Sequence, residues 1–292
     1  MKTATGWMIY PRYTADRSDN AFEWLVREAA AAGLHLRVLF AEELSVLYGP
    51  HTGLFHRGHP VGRMPDFVVM RTYDTVLSRW FERLGIPVVN TSASMEICKD
   101  KMLTHEVLAG AGVPTPATVY AEGAEYDYAE LAALFGSGRF IVKRTDGAKG
   151  EDVYLVHGGE ELAAAVRQCR GRCICQEFIA SSFGRDVRVW VIGGRVAGAV
   201  MRYSETSFLS NFSQGGSVRS FELPEDAARL AVESAALTGA AFAGIDLLFG
   251  NEGFIVNEVN GNAGFRTLSR VGRNDIPKEL FGYIAGIVRQ QP

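Results

Sequence analysis

GIDLLFGNEGFIVNEVNGNAG, Gly244 to Gly264, has the pattern of a β-hairpin. Apolar strands, Ile245 to Phe249 and Phe254 to Val259, flank the turn residues Asn251, Glu252 and Gly253. A three-residue loop ending in glycine is a favoured connection, because its last position usually needs positive φ. With that loop Gly250 faces Phe254, and Asp246 stands opposite Glu258 with Cβ atoms about 5 Å apart. Asn260 follows on the same face, about 7 Å along the strand. Carboxylates that close repel unless a cation lies between them. Two carboxylates and an amide oxygen suit a hard divalent ion that keeps water or phosphate in its other positions. The competing reading is an acidic, solvent-facing hairpin, and the rest of the chain has to decide.

Outward from the hairpin, the third segment of the chain (180–292) is mostly antiparallel. DVRVWVIGGRVAGAVMRY makes two strands about a Gly193-Gly194 turn, followed by the polar loop SETSFLSNFSQGG and the helix PEDAARLAVESAALTG. Asp186 and Arg188 alternate onto one face, where a carboxylate can bind ribose hydroxyls and a guanidinium can clamp phosphate. A salt bridge between them is the alternative. A regular turn at Gly193-Gly194 places Met201 opposite Asp186, so Arg202 reaches that face only through a bulge.

The middle segment (93–179) holds the candidate phosphate site. Lys143 ends an apolar strand, and the loop after it carries Gly147 and Gly150, whose backbone N–H groups could wrap phosphate oxygens. Lys101 lies in the first turn of a helix capped by Asp100, where a cation opposes the macrodipole unless an anion is present. Gln176-Glu177-Phe178-Ile179 closes the segment and could read an adenine edge between apolar walls. A plain buried strand would look the same.

Residues 1–92 alternate strand and helix, which implies a parallel, doubly wound sheet without a G-x-G-x-x-G turn. The whole is α/β, becoming α+β in the C-terminal half. Net charge −3 argues against binding nucleic acid by bulk electrostatics, and no apolar run approaches the roughly 18 residues of a membrane span. Cys98, Cys169, Cys173 and Cys175 are expected as buried free thiols in a cytoplasmic protein. His51, His56 and His59 fit a surface hairpin turning at Arg57-Gly58 better than a zinc site, and His35, His105 and His157 look isolated.

Seven motifs in order span nearly the whole chain: VVNTSASMEICKDKMLTHEVLAGAGVPTP, FIVKRTDGAKG, QEFI, GRDVRVWVIGGRVAGAVMRYS, NFSQGG, GIDLLF and VNEVN. Together they resemble the ATP-grasp superfamily, specifically its RimK-like carboxylate–amine ligases, with several pieces nearest the LysX-like branch. The resemblance implies an ATP-grasp fold behind an N-terminal pre-ATP-grasp domain. It implies that Lys101 and Lys143 contact ATP phosphates; an acyl phosphate has to be kept from water, and the loops Gly147 to Gly150 and Ser204 to Gly216 are the candidate lids. Glu177 and Phe178 would hold adenine, Asp186 the ribose, and Ser210 and Asn211 would lie near the phosphates. Asp246, Glu258 and Asn260 would coordinate two Mg²⁺ or Mn²⁺ ions, and Arg188 and Arg202 would steady an acyl phosphate. The partners implied are an amino acid, glutamate among the candidates, and a carboxylate on a metabolite, peptide or carrier protein. A homo-oligomer is expected. An ATP-binding module without chemistry, or a phosphotransferase, is the alternative. The loop after the metal asparagine departs from the family, reading Asn262-Ala263-Gly264 before Phe265-Arg266. Arg71, Asn262 and Arg266 are the candidates for holding substrate there.

Overall fold

The structure is a computed structural model and describes residues 3–15, 21–120, 126–147, 150, 152–170, 172–210, 216–265, 267–272 and 276–290. Asn211 and Arg266 therefore lie outside the described residues.

β1 (Ala4–Tyr10), α1 (Phe22–Ala31), β2 (Leu34–Phe40), β3 (Leu44–Leu47), β4 (Gly53–His56), β5 (His59–Pro60), β6 (Phe67–Met70), α2 (Thr75–Arg83) and β7 (Val88–Val89) form the N-terminal part. Its main sheet is parallel, in the order β2-β1-β6-β7. Strand alternation explains its two covered faces: Trp7 and Ile9 of β1 pack with Trp80 and Phe81 of α2, whereas Met8 packs with Leu25 of α1. β3, β4 and β5 make a separate antiparallel sheet that turns at Arg57-Gly58, and His56 meets Glu43 at 3.0 Å.

α3 (Ser92–Lys99) and α4 (Lys101–Gly110) follow, divided by Asp100, whose side chain accepts from the Met102 and Leu103 N–H groups. β8 (Thr118–Val119), α5 (Tyr128–Leu134), β9 (Phe140–Arg144), β10 (Val153–Val156), α6 (Gly159–Gln168) and β11 (Cys173–Glu177) build a sheet in the order β10-β9-β11-β8 with its own core. All four cysteines are buried free thiols.

β12 (Arg185–Ile192), β13 (Arg195–Tyr203), β14 (Ser217–Ser220), α7 (Glu225–Leu237), β15 (Phe242–Gly250), β16 (Gly253–Asn260) and α8 (Ile276–Arg289) complete the chain. The strands form an antiparallel sheet, β14-β13-β12-β15-β16. α7 covers one face; on the other, Trp190 and Ile192 join Phe281 and Ile284 of α8 and Met8 and Leu25 of the N-terminal part in a single core. Among the described residues no helix is long and apolar enough to cross a membrane.

Candidate nucleotide and metal site

Asp246 does stand opposite Glu258, but the hairpin reaches that register differently from the expectation. The turn is tighter: Gly250 pairs with Gly253, which has φ +121, and Phe249 faces Phe254. A bulge between the Asp246 and Leu247 pairs then adds Asn257 to β16 and restores the Asp246–Glu258 pairing. A second bulge, between Trp190 and Val191, brings Arg202 opposite Asp186, so the irregularity that the Gly193-Gly194 turn required is present.

These pairings build a chain of charge. Arg188 faces Asp246 and grips it at both oxygens, with Nη2–Oδ2 at 2.7 Å. Arg202 forks onto Asp186 at 2.7 and 2.5 Å and also meets Asp246 Oδ2 at 2.8 Å. Asp186 and Arg188 are not paired with each other as the sequence allowed; each takes a cross-strand partner instead. Burial alone would raise the Asp246 carboxyl, but the two guanidiniums outweigh it and hold the group below the usual carboxylate range. Burial works against the Arg202 charge, and the two aspartates overcome it and push its pKa up. Gly244 is needed for this layout, because a Cβ there would come within 2.9 Å of both Arg188 Cδ and Ala263 Cβ.

A cleft runs from this sheet to the middle segment, lined by Lys101, Lys143, Gly147, Gly150, Glu177 and Phe178 with Asp186, Ser210, Asp246 and Glu258. Lys101 donates to the Gly147 carbonyl, tying the glycine loop to α4. Lys143 is buried and donates to Gln176 Oε1 at 2.5 Å and Asn257 Oδ1 at 2.7 Å. Burial lowers its pKa to about 8, with Glu258 and Asp246 raising it and Lys101 lowering it further. Glu177 exchanges contacts with Ala117, and Phe178 stands edge-on to Phe183 with Arg139 over its ring.

Asn257, which lines the cleft, and His105 behind it were left out of the sequence reading, and Gln176, read there as part of an adenine-binding stretch, instead holds Lys143. His105 is far from isolated: it is buried, and its Nε2 lies 2.8 Å from Gln176 Nε2. Its spacing of four from Lys101 on α4 was the available signal. Burial, with Lys143 and Lys101 nearby, lowers its pKa from 6.5 to about 3. An unfolded histidine takes up a proton below pH 6.5 that the folded one refuses, so stability is fully present above that pH and declines toward pH 3. Urea unfolding midpoints are expected to fall between pH 7 and pH 4, and His105→Gln to flatten that slope.

Asn260 Oδ1 accepts from the Asn262 N–H at 2.9 Å, and Asn262 Nδ2 donates to the Arg71 carbonyl at 3.1 Å. Arg71 follows the end of β6, buried beside Tyr10, Phe242 and Phe265, with Nη2 donating to the Ala263 carbonyl at 2.7 Å. Its Nε and Nη1, and Asn262 Oδ1, are buried and have no hydrogen-bond partner among the described residues.

The donor chemistry fits a hard divalent cation. Asp246, Glu258 and Asn260 offer only oxygen, and the Glu258 carboxylate has no hydrogen bond or ion pair among the described residues although Asp246 is directly opposite. No group of three His, Cys, Asp or Glu suited to a metal occurs among the described residues, so a soft-metal site finds no support.

A family model described as the RimK-like ATP-grasp domain matches residues 98–284. The chain is 31% identical over 216 residues to a probable alpha-L-glutamate ligase of Maridesulfovibrio salexigens, covering 73% of this chain and 71% of that one. It is 31% identical over 268 residues to mouse N-acetylaspartylglutamate synthase A, covering 86% and 70%. The fold matches that of the ATP-grasp ligase PsnB, solved with a precursor variant, Mg and ADP, at TM-score 0.70, 22% identity and full coverage of both chains. A RimK-domain ATP-grasp protein of Sphaerobacter thermophilus matches at TM-score 0.70 and 21% identity, covering 95% of this chain and 98% of that one. On the extent of the family match and these identities, the chain belongs to the RimK-like ATP-grasp family.

Proposed function

We propose that this chain is an ATP-dependent carboxylate–amine ligase that joins an amino acid, with glutamate the first candidate, to a carboxylate on a peptide, carrier protein or small metabolite. One observation carries the reading: the opposed Asp246–Glu258 pair and the two lysines Lys101 and Lys143 line the same cleft. The lysines and the glycine loop suit the phosphates, and Glu177 and Phe178 suit the adenine. Asp186, which lines the same cleft, is the candidate for the ribose hydroxyls.

Asp246, Glu258 and Asn260 would hold Mg²⁺ or Mn²⁺, two ions in the full complex, which when bound offset phosphate charge. An oxygen of the acceptor carboxylate attacks the γ-phosphorus, and the bond to ADP breaks. Arg188 and Arg202, which hold Asp246 beside the cleft, would offset the negative charge of the resulting acyl phosphate. The amine nitrogen then bonds to the acyl carbon, phosphate leaves with the bonding pair, and the nitrogen gives up a proton. The anhydride hydrolyses readily, so the cleft has to exclude water, a task suited to the Gly147–Gly150 loop.

ADP release and amide formation, followed together across a panel of amino acids and carboxylate acceptors, test the proposal. ADP with amide product is expected. Phosphorylated acceptor in the absence of amide would indicate a phosphotransferase, and no nucleotide turnover with any pair would count against an enzyme.

Arg71 and Asn262 support the placement of the amino acid. A buried guanidinium with two idle donors next to an idle amide acceptor matches a carboxylate and an ammonium on one small molecule. Arg71→Met is expected to raise the amino-acid KM by about 10- to 100-fold while changing the ATP KM by less than about 3-fold. Equal rises in both constants would remove Arg71 from substrate binding.

A further inference from the structure

Lys143 lines the cleft with the opposed carboxylates, and among the described residues no carboxylate is bonded to it. Its two acceptors, Gln176 Oε1 at 2.5 Å and Asn257 Oδ1 at 2.7 Å, are both neutral amides. An amide oxygen orients an ammonium without cancelling its charge, and of three protons one is left for the cleft. This arrangement holds only while Gln176 presents oxygen rather than nitrogen.

What fixes the amide lies behind it. Gln176 Nε2 is 2.8 Å from His105 Nε2 and 3.0 Å from Thr118 Oγ1, so both of its protons have acceptors. The Thr118 hydroxyl donates its own proton to the Pro116 carbonyl at 2.9 Å, which leaves its oxygen free to accept. His105 Nε2 accepts only if the ring is neutral and carries its proton on Nδ1. Burial and two neighbouring lysines keep the ring neutral. Were the amide reversed, its NH₂ would face the Lys143 ammonium, two donors against each other. The Lys143 end therefore selects the orientation, and His105 as its Nδ1–H tautomer, with Thr118, accepts both amide protons and holds it there.

We propose that His105 is a positioning residue for nucleotide binding: through Gln176 it fixes the direction of the Lys143 ammonium toward the phosphates. Thr118 assists, and Asn257 holds the place that a phosphate oxygen takes over. His105 touches no substrate. The inference rests on the nucleotide site proposed above, but its test is independent of ligase chemistry.

ATP binding by the intact protein, measured by calorimetry with and without Mg²⁺, is the assay. His105→Leu removes the acceptor and is expected to weaken ATP about 10-fold, whereas His105→Gln, which can present an oxygen to Gln176, restores most of the loss. Lys143→Met is expected to weaken ATP about 100-fold. Adding His105→Leu to Lys143→Met should then cost less than about 2-fold more, because a residue acting through Lys143 has nothing left to orient. A generally loosened fold would weaken binding in both backgrounds alike. Full additivity, or wild-type affinity in His105→Leu, overturns the proposal. If His105→Leu does not fold, Thr118→Val replaces it in the same cycle with the same expected coupling. A parent protein that binds no ATP sinks the nucleotide site itself, a result distinct from additivity in a protein that binds it.

Discussion

Glu258→Ala is expected to lower ADP release by about a thousandfold or more while leaving the melting temperature nearly unchanged. Function and stability separate here because of how the carboxylate is surrounded. Asp246 is held by two guanidiniums, so the fold has already neutralised it. Glu258, directly opposite and only half-buried, has no hydrogen bond or ion pair among the described residues, so the fold leans on it little. Removing it costs little stability and deletes one of the three proposed oxygen donors. Turnover assays at saturating Mg²⁺, paired with thermal melts, check both halves. A variant as active as its parent would falsify the metal role of the hairpin.

Arg202→Met should act in the opposite sense, with its largest effect on folding. The Arg202 side chain is 7% exposed and serves Asp186 and Asp246 together. Without it Asp246 keeps only Arg188, and Asp186 loses both of its fork contacts. Removing one partner from a buried ionic group costs about 3–5 kcal/mol. Arg202→Lys keeps the charge but cannot reproduce the fork, so it should fall between the two. Urea denaturation of the three proteins at pH 7 measures this; a loss below about 1 kcal/mol for Arg202→Met would show that the aspartates find compensation elsewhere.

Much of the architecture could be read from alternation and punctuation. The parallel N-terminal sheet, the Gly193-Gly194 turn and the Asp100-capped helix all follow from local residue choice. The Asp246–Glu258 pairing was reached through a looser turn than the one formed, because a bulge at Asn257 compensates for the tighter turn; between bulge and turn the expected register was off by one residue. Counting alternate residues assigns Asn257 to the far side of the strand, so its bond to Lys143 was invisible. α5 escaped notice although Asp127 accepts from the Glu130 N–H in a recognisable capping arrangement. The His105–Gln176 contact joins a helix and a strand that are 71 residues apart, and no local pattern announces such a meeting.

The shared core of Met8, Leu25, Trp190 and Phe281 fuses the chain's beginning and end into one block, and Cys98, Leu108 and Val113 attach α3 and α4 to its other side. The sheet of β8 to β11 has separate packing and belongs to neither. That sheet is therefore the part suited to swing as a jaw on a fixed base. Among the described residues the bonds across the seam include Lys101 to the Gly147 and Thr145 carbonyls, Arg172 to Asp100, His105 to Gln176 and Lys143 to Asn257, and together they act as its latch.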